Sequence, residues 1–560
     1  MKRCAQTPDL RISRAKLLVW VSLYLIFTLQ FLTSISFSQQ PTQEWVARFP
    51  GPSNDLYGPF MEVDKHGNSY ITGTHVVNDT PKVVCAKYNT DGVLLWSTLY
   101  VYPVEAYIRP SGMALDSSGN VFVIADQGPA YFLPTNGLIM KFNNVNGSVA
   151  WVKRYIGQYG WGAFRDIKID RQNNIYVAGW TDSSHLVIRY NGGGDSVWVR
   201  KYRPPWGVRE TIRACTLDDS LNIIITGTRT FYYISNYDSL LVAKYSPGGV
   251  LRWESVYANN FLSPHVGTKA AADQLGNIYI GGETSVSGDG VYLTMKYDRN
   301  GTRQWARIYD ASGSGSSTLK AMAMDRTNNA LYVTGAAIFN GKGVAATIKY
   351  NSNTGDTVWV KLDSGSYSRA SSRQIILDSN GNVYITGETY NFPSYVPYDI
   401  LTIKYSQIGG ELWRITFNGN FNGLDIGRII GLDASNNVYV LGTSQSNAQV
   451  TDYIVIKYSQ LTGIGPISYV FPKQFKLLQN YPNPFNPVTK IQFIIPKISF
   501  VRLQIYDILG RLIETTVEKQ LSPSVYEVTF DGSKYTSGLY FYQLIADNSI
   551  IDTKKFIIIK

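Results

Sequence analysis

The sequence predicts an all-β protein in which eight four-stranded units precede a small β-sandwich. Three observations predict it. An apolar run ending in Asp recurs eight times, at Asp64, Asp116, Asp170, Asp218, Asp273, Asp325, Asp378 and Asp433, at intervals of 48 to 55 residues. Its clearest copy is Asp378-Ser379-Asn380-Gly381-Asn382, leading into Val383-Tyr384-Ile385-Thr386-Gly387. Each unit then carries an alternating segment ending in Lys-Tyr or a close variant, such as Lys87-Tyr88, Lys141-Phe142, Arg189-Tyr190 and Lys404-Tyr405. Seven units add a Trp behind it: Trp96, Trp151, Trp198, Trp253, Trp305, Trp359 and Trp413. Finally, period-2 alternation with β-branched and aromatic residues marks all four segments of a unit, and 40 Tyr and 49 Gly suit a turn-rich sheet protein. Four short strands per unit, repeated in tandem, are the sequence pattern of a β-propeller.

The elements follow in chain order. Lys2, Arg3, Arg11, Arg14 and Lys16 precede an apolar run from Leu17 to about Leu32, and Ser36 and Ser38 stand before Gln39. Residues 1–38 are therefore expected to be a secretory signal peptide. Residues 39–460 are expected to form the propeller. In each unit the first strand leads to the Asp and a tight turn to the second, the Asp accepting backbone N–H bonds and a Gly or Asn taking positive φ. The eighth unit ends at Lys457-Tyr458 without a Trp strand, and Glu44–Phe49, with Trp45, supplies one at the other end of the chain. Closure of the last blade by that N-terminal strand removes exposed sheet edges. Two departures stand out: Asp219-Ser220-Leu221 where Gly is usual, and an extra residue before Gly335. Residues 461–475, punctuated by Gly and Pro, read as a linker. Residues 476–560 carry period-2 strands at 490–495, 501–506, 512–517, 525–530, 539–545 and 554–559, the pattern of a small Ig-like β-sandwich.

Within a unit, the turns between strands one and two and between three and four are short and uniform. The other connections are long, variable, and emerge together on one face of the disc. That face is rich in aromatic residues, from which Trp161, Trp180, Trp206, Tyr232, Tyr233 and Tyr395 are taken as candidate ligand-binding residues. Tyr and Trp offer flat apolar faces with a polar edge, suited to sugar rings or extended peptide, and loops on a rigid scaffold are where binding surfaces are built. The repeated Trp are expected to pack blade on blade, and the repeated Asp to cap turns.

Composition and motifs exclude several function classes. The formal net charge is +11, but residues 1–38 hold five basic and one acidic residue and residues 476–560 ten and seven, leaving 37 against 33 between them. No clustered basic patch for nucleic acid is legible. The four His (His66 in a turn, His75 and His265 in loops, His185 in a strand) stand without a ligand-like spacing, so no metal or cofactor is expected. There is no G-x-S-x-G elbow or P-loop, and no catalytic residue is nominated. Cys85 and Cys215, three repeats apart in strand segments, are expected to be separate buried thiols.

The phrase from Asp378 to Gly387, with Lys404-Tyr405 and Trp413 behind it, resembles the SBBP family of bacterial β-propeller repeats over roughly residues 44–460. Thr354-Gly355-Asp356-Thr357-Val358-Trp359 is also similar to a phrase of quinoprotein dehydrogenase propellers, but the vicinal Cys pair of those enzymes is absent, and the likeness reads as shared blade packing. The C-terminal stretch resembles the type A sorting domain of the type IX secretion system. The matching residues are Asn480, Tyr481, Pro482, Asn483, Pro484, Phe485, Asn486 and Pro487 at its opening, Gly510 and Arg511, then Ser537, Gly538 and Tyr540, and Lys555 near the end. This resemblance implies a Gram-negative host of the Bacteroidetes type, passage of the outer membrane by the type IX machinery, and release or attachment to surface lipopolysaccharide.

The function expected on these grounds is a secreted or cell-surface binding protein, more a recognition module than an enzyme, with a glycan or an extracellular protein as ligand. The alternative is a secreted propeller enzyme, a lyase or hydrolase of extracellular polysaccharide. A cleft gathering two or more carboxylates, or a His with a carboxylate, separates the two.

Overall fold

The computed structural model describes residues 40–559 apart from 50, 52–57, 78–79, 102–106, 129–135, 203–204, 206, 233–236, 259–262, 312–314, 366–368, 391–397, 448–449, 461–464, 469–473, 498 and 522–523. The expected signal peptide lies outside them. Every regular element among the described residues is a β-strand. They fall into two compact units, Gln40–Leu461 and Thr462–Lys560.

The larger unit contains eight antiparallel four-stranded sheets, numbered here 1 to 8. Sheets 1 to 7 each take four consecutive strands; in sheet 1 these are Phe60–Val63, Ser69–Val77, Thr80–Tyr88 and Leu94–Tyr100. Sheet 8 takes three, from Asp425–Leu432 to Thr451–Ser459, and its fourth is Thr42–Phe49. That strand runs antiparallel to the last, with Trp45 opposite Lys457 and Phe49 opposite Tyr453.

The repeated Asp is what makes the first turn. Asp378 accepts N–H bonds from Asn380 and Asn382 on Oδ1 at 2.9 Å, and bonds from the Asn382 side-chain amide and the Tyr384 hydroxyl on Oδ2. The pattern holds in the fourth unit even though Leu221 must take a φ of 61°, a costly conformation for a side chain with a Cβ.

Packing between sheets uses the Trp. Trp96 of sheet 1 donates its indole N–H to the Asn144 carbonyl in the last turn of sheet 2. Trp198, Trp253, Trp305 and Trp359 do the same to the sheets that follow them, at 2.9 to 3.2 Å. A Gly at positive φ lies under each ring because nothing larger fits; a Cβ on Gly301 would stand 2.6 Å from the Trp253 ring. Gly355, in the quinoprotein-like phrase, sits likewise under Trp305, so that phrase is packing. Each core cluster of the larger unit joins two successive sheets, as Phe122 and Ile139 join Val177 and Leu186. One cluster joins sheet 8 to sheet 1, placing Tyr439, Leu441 and Tyr453 against Met61, Ile71 and Tyr88. There Trp45 donates to the Thr90 carbonyl and covers Gly92, as Trp96 does one sheet on.

The smaller unit consists of two four-stranded sheets sharing one core, with Ile491 and Phe493 from one and Leu503, Tyr542 and Phe556 from the other. The stretch 461–475, read as a linker, contributes the strand Gly465–Ser468, which pairs with Ser524–Asp531. Its Gly and Pro content masked a strand because an edge strand forms few ladder bonds and tolerates Pro.

Candidate functional site

A cleft of about 840 Å³ opens in the larger unit where sheets 1 to 4 meet. It brings together Trp161, Trp180 and Tyr232 from the predicted set, joined by Tyr159. Trp206, Tyr233 and Tyr395 lie outside the described residues. Trp161 and Tyr232 are 45% and 49% exposed, so their faces are open to a ligand, whereas Trp180 is buried. Not every loop aromatic faces a ligand: Tyr390 and Tyr398 stack on each other with ring centroids 4.6 Å apart.

Local turns hold these rings. Asp182, at a φ of 53°, accepts the backbone N–H groups of Gln158 and Tyr159 at 3.0 Å and donates its own to the Trp161 carbonyl, fixing the loop that carries both rings. Tyr232 is set by its N–H bond to the Gly207 carbonyl. Trp180 sits in the second strand of sheet 3 with the Arg165 and Arg209 guanidiniums 5.9 and 5.3 Å from its ring centroid. Such pairs stabilise by about 0.5–2 kcal/mol, more when water is excluded.

Arginine is what reading the sequence missed. Arg109, Arg165 and Arg209 line the cleft with two carboxylates, Asp126 and Asp182. Asp126 is buried and engaged by Arg165 at 2.5 Å and by the Phe164 N–H. Burial pushes its carboxyl up, against the pull of Arg165 and Arg109. Arg209 has no carboxylate partner among the described residues, and its Nε is buried without a hydrogen bond. A signal was present: Arg165 stands five residues before its turn Asp, a position that is basic in five of the eight units.

Behind the cleft, His185 lies fully buried, its Nδ1 2.6 Å from Glu210 and its Nε2 2.6 Å from the Tyr245 hydroxyl. Burial raises the Glu210 carboxyl, but the His185 and Arg229 contacts outweigh it and hold it below its ordinary value. The pair is sealed from solvent and ties sheet 3 to sheet 4. His75, expected in a loop, lies in the strand Ser69–Val77. Cys85 and Cys215 are buried free thiols.

In the smaller unit several of the motif residues are built into the fold. Asn480 is buried, taking the Tyr542 hydroxyl with its N–H and reaching the Pro482 carbonyl and Thr489 with its amide. Phe485 packs on Phe530 and Phe556 in the core, and Tyr540 stacks on Phe556. The Asn483 side-chain Oδ1 accepts the Ile557 N–H, and the Lys555 backbone carbonyl accepts from the Gln479 side chain. Gly510 takes a φ of 76° in a turn where Arg511 pairs with Asp507 at 2.6 Å. Tyr481 projects into solvent, and Pro482, Asn483, Pro484, Asn486, Pro487, Arg511 and Lys555 are exposed as well, so that only Asn480, Phe485 and Tyr540 of the set are buried.

Residues 479–560 match the family model described as a secretion system C-terminal sorting domain. The chain carries a type IX secretion sorting tail. Residues 358–393 match a second model, the SBBP β-propeller repeat. The tail makes this a secreted or cell-surface protein that engages the type IX machinery. No curated protein matches the chain in sequence. Among solved structures, Chaetomium thermophilum Sqt1 bound to the N-terminus of ribosomal protein L10 is 9% identical over 75% of this chain and all of its own, with a TM-score of 0.47. A protein of unknown function from Bacteroides caccae is 14% identical over 52% and 93%, with a TM-score of 0.31. The polysaccharide lyase Uly1 is 11% identical over 64% and 91%, with a TM-score of 0.38. At these scores none bears on ligand or chemistry.

Proposed function

We propose that this is a secreted or surface-displayed recognition protein whose larger unit, residues 39–460, is an eight-bladed propeller closed by its N-terminal strand, and which binds a glycan through the cleft of sheets 1 to 4. Supporting closure, Trp45 and Tyr453 pack sheet 8 onto sheet 1, the Tyr453 hydroxyl bonding both the N–H and the carbonyl of Thr74. Residues 1–38 act as the export signal. Residues 476–560, an Ig-like sandwich, act as the sorting signal in a Gram-negative host, with release or attachment to lipopolysaccharide to follow. The observation carrying the glycan reading is the convergence of Trp161 and Tyr232, both open and held by fixed turns, on one cleft. Stacking on sugar rings uses such faces at little cost in side-chain entropy. An extracellular protein is the other ligand class for the same face.

The enzyme alternative draws on Asp126 and Asp182 in the same cleft. Both are already committed, Asp126 to Arg165 and Asp182 to two backbone N–H groups, which leaves neither free as a general base. The test is a glycan-array screen of the protein beside Trp161→Ala and Tyr232→Ala variants. Selective binding that falls about fivefold or more in each variant is expected, since stacked rings contribute roughly 1 kcal/mol or more apiece. Binding untouched by both variants would sink the aromatic cleft, and depolymerisation of a bound glycan would move the assignment to the enzyme.

A further inference from the structure

The first strands of successive sheets lie side by side in the centre of the larger unit, and seven of them carry the same β-bulge, five residues before the turn Asp. A bulge leaves its residue outside the ladder and re-aims the side chain. In five sheets that residue is basic: Arg165, Arg213, Lys320, Arg373 and Arg428; in the other two it is Ser or Thr. None is acidic.

These side chains share one space. Lys269 of sheet 5 feels Asp166 and Lys168 of sheet 3 and Lys320 of sheet 6, and Glu283 feels Lys320 and Arg213. Some of the charge is answered internally. Arg165 pairs with Asp126, and Arg373 holds Glu388 through two bonds at 2.7 and 2.9 Å. Arg213, Lys269 and Lys320 form no ion pair among the described residues, although Arg213 and Lys320 are exposed. Gathering unpaired cations costs free energy in the empty protein, and an anion arriving there recovers it. The cleft reaches this tier, because Ser111 and Arg165, both bulge residues, line it together with the unpaired Arg209.

We infer that the ligand of the cleft is an acidic polysaccharide, its sugar rings on Trp161 and Tyr232 and its carboxylate or sulfate groups drawn to Arg209 and, deeper in, to Arg213, Lys269 and Lys320. This rests on the cleft being a glycan site and adds the charge of the glycan. Rings alone select for a flat apolar face and are indifferent to charge; the cations supply the selection for anions.

The test uses the full chain in affinity electrophoresis and calorimetry against polygalacturonate, dextran sulfate, neutral dextran and a single-stranded DNA oligonucleotide. The variants are Trp161→Ala, Arg209→Gln and the exposed pair Arg213→Gln with Lys320→Gln, whose folding is checked by thermal melts. The expected result is binding of polygalacturonate or dextran sulfate at least about tenfold tighter than neutral dextran, weakened by raising salt from about 0.1 M to about 1 M. Arg209→Gln and the exposed pair should lose that preference. The relative rank of polygalacturonate and dextran sulfate tells carboxylate from sulfate recognition. Neutral dextran bound as well as either polyanion, with loss only in Trp161→Ala, overturns the acidic ligand and leaves the glycan reading standing. DNA bound as tightly as the acidic glycans, independently of Trp161, overturns the inference in favour of nonspecific polyanion binding. Binding of none of the polysaccharides overturns both readings.

Discussion

Glu62, on the first strand of sheet 1, shows how much chemistry rests on one side chain. Water reaches it, yet it is enclosed at the centre of the unit, and burial pushes its carboxyl up to about 7 despite the pull of Lys168. A carboxyl raised by folding binds its proton more tightly in the folded state. Its contribution is intact below its ordinary value of 4.5 and is lost as pH rises through about 7. Glu62→Gln has no such dependence. Denaturant midpoints taken between about pH 4.5 and about pH 8 are therefore expected to fall for the native protein relative to the variant, and parallel curves would sink the assignment. None of this was legible in the sequence, where Glu62 is one acidic residue in a strand. Its environment is made by residues from other sheets.

At the scale of the element, the first turn is built by Asp throughout, whereas the last turn uses Asn or Ser, as at Asn89, Asn191 and Ser246, and Asp in sheet 5, so that one residue type can be compared at two depths. Asp378 lies almost wholly inside and satisfies two backbone N–H groups, the Asn382 amide and the buried Tyr384 hydroxyl. Asp298, in the last turn of sheet 5, makes the two backbone bonds but at an exposed site. Removing an acceptor from a buried set costs about 1–3 kcal/mol, and water replaces much of it at the surface. Asp378→Ala is thus expected to lower stability by about 2 kcal/mol and Asp298→Ala by under about 1 kcal/mol in denaturant unfolding. Equal losses would show that backbone geometry, not the hydrogen bonds, sets these turns. The turn itself was readable from spacing, because an Asp with Asn or Gly beyond it has few other uses. The bulge five residues earlier was equally periodic but looked like ordinary surface charge, since a bulge has no residue signature of its own.

For the whole molecule the decisive contact joins the two ends of the larger unit, about four hundred residues apart. Trp45 covers Gly92 and bonds Thr90 of sheet 1, while its strand pairs with Thr451–Ser459. Trp45→Ala is expected to destabilise the larger unit by about 3–5 kcal/mol, the range for truncating a packed Trp, and to raise its tendency to self-associate through the freed edges. Thermal melts and light scattering check this. Loss comparable to a surface substitution would mean that sheets 8 and 1 hold together without that strand.

The sequence by itself determined the repeat, the four strands of each unit, the turn chemistry, and the exported character of the protein through its sorting tail. Those properties live in local spacing, where one residue meets partners two to six positions away. Only the tertiary structure decided which loop aromatics share a cleft, that Arg209 stands beside them with no carboxylate partner among the described residues, and that cations from separate sheets meet in one central space with Glu62, Asp166 and Glu283. These depend on side chains brought together from units some fifty residues apart, and no spacing within a single unit records which faces will meet.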